Sequence, residues 1–369
     1  MKVLLLADVN SPHTQKWALS FKKKGLKLGI FSLTAPRKNN PLITSGIELF
    51  YSKQSKSNLK PETSYSKISY LKLLPYLKKT INKFSPDIIN AHYISSYGLL
   101  GVLSGFKPLV LSVWGSDVME FPKISFLHKK IISFILKKAS AICVTSRFLQ
   151  YEVSKYTSKK TIIIPFGIDT DLFKPLPVNK NDSFIIGTAK SLEKIYRIDS
   201  VIRVFAELHK MYPHKNMQLL IAGDGSQRFV LEKLARDLGV AELIVFKGHC
   251  TVAEMPVLLN QIDILVNISQ NESFGVAVLE ASACEKCVIA TNVGGLSEVV
   301  EDGKTGFLID SDNIEGNLLR VLVTIIQNPD ICKIMGKNGR IKVINEYSLN
   351  VCTEKYLEVF NNLLNSFTK

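Results

Sequence analysis

Residues 161–177 read TIIIPFGIDTDLFKPLP, and how this stretch is read decides the fold. Its three prolines and one glycine interrupt an alternation of β-rich runs and helical stretches that resumes directly afterwards. Upstream the runs are VLLLAD (3–8), LGIFSL (28–33), DIINAH (87–92), PLVLSVW (108–114) and AICVTS (141–146). Downstream they are FIIGTA (184–189), MQLLIAG (217–223), LIVFKG (243–248), DILVNIS (263–269), CVIATN (287–292) and GFLID (306–310). Such runs, separated by helical segments, specify parallel sheets covered by helices. We therefore read 161–177 as a linker between two doubly wound α/β domains, residues 1–165 and 166–345.

Length agrees, since 369 residues exceed the roughly 250–300 at which a single core stops growing. The last segment, NVCTEKYLEVFNNLLNSF, carries apolar positions 351, 356, 357, 360, 363 and 364 at helical spacing. No strand follows it, so this helix, within 346–369, can lie on either domain.

Tandem doubly wound domains bind ligands at the carboxyl ends of their strands, and the cleft between them is the expected site. Neither first strand is followed by G-x-G-x-x-G; the sequences there are ADVNSPHT and GTAKSLEK, which argues against a nicotinamide dehydrogenase.

The net charge of +15 is unevenly placed. Residues 1–165 hold 26 Lys and Arg against 7 Asp and Glu, and the remainder holds 21 against 25. A basic first half facing a neutral-to-acidic second half implies an anionic partner for the first. Segments 70–84, YLKLLPYLKKTINKF, and 126–138, FLHKKIISFILKK, combine apolar positions with lysines as helices lying on a membrane surface do; a core face with a solvated lysine stripe is the competing reading. No apolar run reaches the ~18 residues of a span, and MKVLLLAD is too short for a signal peptide. The expected location is cytoplasmic, peripheral on the inner face of the cell membrane. The six cysteines are scattered, which fits a reducing compartment.

Chemistry belongs on the loops after strands. KSLEKIYR places Lys190, Lys194 and Arg197 at one strand end, where cations suit a diphosphate. In IAGDGSQR, Gly223 lies in a tight strand-to-helix turn that a ligand could approach. The stretch ESFGVAVLE (272–280) follows strand DILVNIS, with Ser269, Asn271 and Ser273 as possible caps of a helix holding Phe274 and Gly275 in its first turn. Amides there attract phosphate. Glu272 precedes the cap and points toward the cleft, whereas Glu280, inside the helix, needs hydroxyls or a cation as partner. Gly294 and Gly295 supply a further strand-end loop. In the first half Asn10 and His13, His92, and Ser116 and Asp117 follow three different strands.

Two signals are set aside. Cys284-Glu-Lys-Cys287 lacks a second pair at zinc spacing. Asp169-Thr-Asp171 lies in the linker, where it reads as a turn and cap.

Taken together, PFGIDTDLF (165–173), GTAKSLEKIYRID (187–199), AGDGSQ (222–227), ESFGVAVLEA (272–281) and VGGLSEVVEDGKTGFL (293–308) resemble glycosyltransferase family 4, of the GT-B fold. The resemblance implies retaining transfer of a sugar from a nucleotide-sugar, without cofactor or required metal. It implies that Glu272 contacts the donor sugar, with Ser273, Phe274 and Gly275 beside it, and that Glu280 holds the ribose hydroxyls. Lys190 takes the place of a phosphate-binding cation, Gly248 and His249 lie near the base, and the last helix crosses back to the first domain. The chain departs from the family at Ile195-Tyr196-Arg197, where K-Y-G is usual, so the second phosphate cation is Lys194 or Arg197. It departs again at Trp114-Gly115-Ser116-Asp117, where many members read H-G-x-D; His92 is the substitute candidate.

The expected partners are a nucleotide-sugar, a glycan or lipid-linked acceptor of surface-polysaccharide or lipopolysaccharide synthesis, and an anionic membrane surface, with no nucleic acid. A GT-B-fold epimerase and a basic nucleic-acid-binding protein are the alternatives.

Overall fold

A computed structural model describes residues 1–52, 70–178 and 183–367. The chain divides into two compact units, Met1–Phe166 with Cys352–Lys369, and Gly167–Val351.

The first unit runs β1 (Lys2–Leu6), α1 (Pro12–Lys23), β2 (Lys27–Ser32), β3 (Glu48–Tyr51), α2 (Leu74–Phe84), β4 (Ile88–His92), α3 (Leu99–Ser104), β5 (Leu109–Val113), α4 (Ser116–Met119), α5 (Phe126–Lys138), β6 (Ala141–Val144), α6 (Arg147–Ser154) and β7 (Ile162–Ile163). The seven strands among its described residues are ordered β3-β2-β1-β4-β5-β6-β7, every described pair parallel. The order reverses between β1 and β4. Strands β4 and β5 are buried along their whole length, which is why their sequences read as continuous apolar runs with few polar breaks.

Two short edge strands are additions to the sequence reading. ELFY (48–51) is half exposed, and Ile162–Ile163 lies inside the stretch read as a linker, pairing with Cys143 and Val144. The same stretch continues with Phe166, whose ring lies 5.4 Å from that of Trp114. Only beyond it does the chain enter the second unit.

That unit runs β8 (Phe184–Ala189), α7 (Ile198–Met211), β9 (Met217–Ala222), α8 (Arg228–Asp237), β10 (Ile244–Gly248), α9 (Met255–Gln261), β11 (Ile264–Asn267), α10 (Val276–Ala283), β12 (Cys287–Thr291), α11 (Leu296–Val299), β13 (Phe307–Ile309), α12 (Ile314–Gln327) and α13 (Asp330–Lys342). The sheet order is β10-β9-β8-β11-β12-β13, again parallel, with its reversal between β8 and β11. Asp169 forms a turn, its Oδ1 accepting from the amides of Asp171 and Leu172 at 3.1 Å each.

The final helix, α14 (Leu349–Phe367), belongs to the first unit from Cys352 onward. Tyr356 stacks edge-on against Trp17 at 4.8 Å, and Phe360 lies 5.7 Å from Phe21. All four rings are essentially excluded from water, so this aromatic contact between α14 and α1 is a large apolar surface that neither helix could leave exposed. Among the described residues no helix is long and apolar enough to cross a membrane. The six cysteines are free thiols, and no group of three or more His, Cys, Asp or Glu able to hold a metal occurs among the described residues.

Candidate functional site

In the second unit Lys190 follows β8 and Glu272 follows β11, the two strands that flank the reversal of sheet order. Their side chains form an ion pair with only 14% and 15% of their surfaces exposed. The Lys190 ammonium also lies 5.1 Å from the centre of the Tyr196 ring. A cation and a carboxylate thus meet where open α/β sheets bind ligands.

The backbone around them is tightly constrained. Lys190 N donates to Ala222 O (3.0 Å), Leu192 N to Asp224 O (3.0 Å) and Gln227 N to Leu192 O (2.9 Å), so the loops after β8 and β9 zip together. Gly223, at φ +140°, donates to Gly248 O at 2.7 Å, and a Cβ there would run into the Lys190 carbonyl oxygen. Its glycine requirement therefore comes from loop-on-loop packing. Glu193, which sequence reasoning missed, accepts from the Ser226 hydroxyl (2.6 Å) and amide (2.9 Å). These bonds hold its carboxyl below the usual range, the hydroxyl first and then the amide. With the partners 33 positions apart, no local pattern announces the contact.

On the other side, Gly295 N donates to Glu272 O at 2.9 Å. Gly294 has φ +53°, and a Cβ on it would strike the same carbonyl. The amide of Gly295, in the strand-end loop read from the sequence, thus fixes the backbone that carries Glu272.

The helix start differs from expectation. Gly275, at φ +106°, is the cap of α10 and no side chain caps it; Ser269 Oγ instead donates to Asn267 Oδ1 at 2.5 Å. Phe274 is buried ahead of the helix and not in its first turn. A Cβ at Gly275 would lie 2.8 Å from Leu296 Cδ2, so packing on α11 also demands this glycine. Ser273 is half buried beside it.

A cavity of about 330 Å³ opens beside the ion pair, lined by Lys190, Gly223, Asp224, His249, Ala277 and Glu280 among others. Its volume lies at the low end of small-molecule sites. Met255 and Cys250 line it as well, though no sequence signal had singled them out. Gly248 adjoins through its carbonyl on Gly223. Lys194 is exposed on a single 3-10 turn. Arg197 is half buried in a left-handed conformation, φ 51°, and its Nη1 is buried without a hydrogen-bond partner among the described residues.

In the first unit the loops after β1, β4 and β5 carry the other candidates, and three of them are engaged by the protein itself. His92 is 1% exposed, its ring 4.7 Å from Trp114, and neither ring nitrogen has a partner among the described residues. Burial lowers its pKa to about 3, so the enclosed ring is held neutral and packs on Trp114. Asp117 is fully buried and accepts from the amides of Gly115 (2.9 Å), Ile94 (3.0 Å) and Trp114 (3.5 Å). Burial raises its pKa against the pull of these bonds, and its carboxylate ties the loops after β4 and β5 together. Asn10 donates to Ala35 O (2.9 Å) and accepts from Arg37 N (2.8 Å), which commits it to the loop after β2.

His13 is half buried between Phe166 (4.4 Å) and Trp114 (5.7 Å), its pKa lowered to about 3 by burial and then by Lys16 and His92. Ser116 Oγ and Tyr93 Oη share a 2.6 Å hydrogen bond.

The sequence matches two family models, glycosyl transferases group 1 over residues 169–342 and glycosyl transferase 4-like over residues 2–146. A relative from Mycolicibacterium smegmatis, GDP-mannose-dependent alpha-(1-6)-phosphatidylinositol monomannoside mannosyltransferase, is 30% identical over 287 residues, 72% of this chain and 73% of the relative. The chain belongs to the glycosyltransferases of group 1, the family 4 type. It has the GT-B fold of two Rossmann-like units and is a hexosyltransferase-type enzyme. Among solved structures it resembles sucrose-phosphate synthase from Thermosynechococcus elongatus, with a TM-score of 0.83 at 18% identity over 99% of this chain and 100% of that one. It also resembles Anabaena HepE in complex with UDP and glucose, with a TM-score of 0.80 at 19% identity over 98% and 100%.

Proposed function

We propose that this glycosyltransferase moves a sugar with retention of configuration from a nucleotide-sugar held by the second unit to a lipid-linked or glycan acceptor at a membrane surface. The Lys190–Glu272 pair across the sheet reversal, beside the cavity lined by Glu280, carries the reading. Relatives support it: the mycobacterial enzyme is named for GDP-mannose and a phosphatidylinositol mannoside, and HepE was solved with UDP and glucose.

In the proposed reaction the bond between the anomeric carbon and the β-phosphate oxygen breaks, and negative charge grows on the departing diphosphate. Lys190 sits in a partly desolvated place where an ammonium stabilises that charge far better than in water. The amides at the start of α10 add the helix dipole, and a diphosphate oxygen would satisfy the buried Nη1 of Arg197. Exposed Lys194 serves as a mobile counter-charge. Glu272 accepts from sugar hydroxyls and Glu280 from the ribose diol. The acceptor hydroxyl attacks on the face the phosphate leaves, and its proton passes to that phosphate, so neither a side-chain base nor a metal is required. His13 and Ser116 mark the acceptor side of the first unit. The basic balance of that unit, 26 cations against 7 anions over residues 1–165, suits an anionic surface.

Thermal stabilisation by UDP-, GDP- and ADP-sugars tests the donor claim, since a ligand at 100 times its Kd adds about 2.7 kcal/mol to the native state. If no nucleotide-sugar raises the melting temperature, the claim fails. Nucleotide release that requires added acceptor separates transfer from epimerisation, and NMR of the product's anomeric proton reports retention.

A further inference from the structure

A second cavity, of about 480 Å³, lies in the first unit at the opposite end of its sheet from the candidate loops. Lys107 precedes β5, Ser140 precedes β6 and Lys159 precedes β7; Lys137 and Lys138 end α5, and Leu363 and Phe367 come from the end of α14. Four lysines therefore line one cavity, and no carboxylate is among its described lining residues.

With four cationic side chains and no described carboxylate, the lining suits an anion. Lys159 donates to Ala139 O at 2.6 Å, yet its pKa is lowered by burial and by the charge of Lys107. The C-termini of α5 and α14 supply roughly one negative unit of dipole charge between them, well short of four. A phosphate complements this positive lining, because lysines bind it as movable point charges.

The cavity is continuous with an exposed apolar and basic strip. Phe134, 42% exposed, stands one turn before Lys137 and Lys138 on the same face of α5, and Lys130, Leu127 (63%) and Phe126 (71%) extend the strip toward its start. The Lys130 ammonium lies over the Phe126 ring at 4.6 Å. Ile124, 58% exposed, adds to the same end. That end adjoins the turn after α4, where His128 meets Phe121 at 4.6 Å. A helix of 13 residues spans about 20 Å, so the strip runs from the lysine pocket toward the turn that follows α4, the helix whose first residue is Ser116.

We propose that the pocket of Lys107, Lys137, Lys138 and Lys159 binds the phosphate of an anionic phospholipid headgroup while the exposed face of α5 lies in the bilayer interface. Leu363 and Phe367 contact the glycerol and upper acyl region, and the apolar start of α5 holds the acceptor loops at the surface. The inference rests on reading the first unit as the acceptor side working at a membrane, and it adds a phosphate site that orients the protein there.

Co-sedimentation with phosphatidylcholine vesicles containing phosphatidylglycerol tests it. The variant Lys107→Ser, Lys137→Ser, Lys138→Ser leaves Lys159 on its carbonyl. The control Lys22→Ser, Lys23→Ser, Lys27→Ser removes the same charge from α1 and β2. The pocket variant is expected to lose at least tenfold in apparent vesicle affinity, and the control no more than about twofold. Equal losses would assign binding to diffuse charge and overturn the proposal, as would failure of the unaltered protein to sediment with anionic vesicles. Binding of glycerol phosphate that the pocket variant abolishes, without vesicle binding, would make the site one for soluble phosphate esters and overturn it too. Nucleotide-sugar stabilisation measured on the same proteins keeps a failure here separate from a failure of the donor reading.

Discussion

Lowering the pH should selectively destabilise the first unit through His92. The folded protein holds this imidazole neutral, with its pKa lowered from 6.5 to about 3 by burial, while the unfolded chain takes up a proton below 6.5. Stability is therefore lost as pH falls from 6.5 toward 3. At pH 5 the unfolded state gains about 1.5 pH units of protonation at about 1.4 kcal/mol each, or about 2 kcal/mol. Both tryptophans, Trp17 and Trp114, lie in the first unit, and Trp114 touches His92. Fluorescence-detected urea unfolding thus reports this unit. With a slope of about 2 kcal/mol per molar, the midpoint should drop by about 1 M more between pH 7.5 and 5 in the unaltered protein than in His92→Phe. Midpoints that fall in parallel in the two proteins would refute a buried neutral imidazole.

Other expectations concern the loops. Lys190→Ala should lower turnover by about 10²–10³-fold in a nucleotide-release assay while leaving the fluorescence-detected midpoint unchanged. Gly294→Ala forces a side chain into the Glu272 carbonyl at φ +53°, and calorimetry should show a loss of more than about 2 kcal/mol together with weakened donor binding. Asp117→Asn turns one amide-accepting oxygen into a donor, and the urea midpoint should report a loss of about 1–3 kcal/mol.

The two-sheet architecture was legible because strands buried on both faces read as continuous apolar runs. Edge strands ELFY (48–51) and Ile162–Ile163 were not, being short and partly exposed. Lys190 and Glu272 were legible singly as strand-end residues. Their ion pair was not, since 82 residues separate them and the contact depends on β8 and β11 being neighbours, which local sequence does not encode. Asn10 and Asp117 misled for a physical reason: strand-end loops expose backbone amides and carbonyls that need partners, and a nearby polar side chain meets that need as readily as it meets a ligand. The helix start misled similarly, because three hydroxyl and amide side chains precede α10 while buried Phe274 and left-handed Gly275 determine where it begins.

The central claim is that the cavity beside Lys190 and Glu280 holds the nucleotide-sugar. Titrating the most stabilising nucleotide-sugar into the unaltered protein and Glu280→Ala tests it most directly. Loss of hydrogen bonds to a charged group predicts an affinity weaker by about ten- to a hundredfold, with the variant still folded. Equal affinity in a folded Glu280→Ala protein would contradict the account.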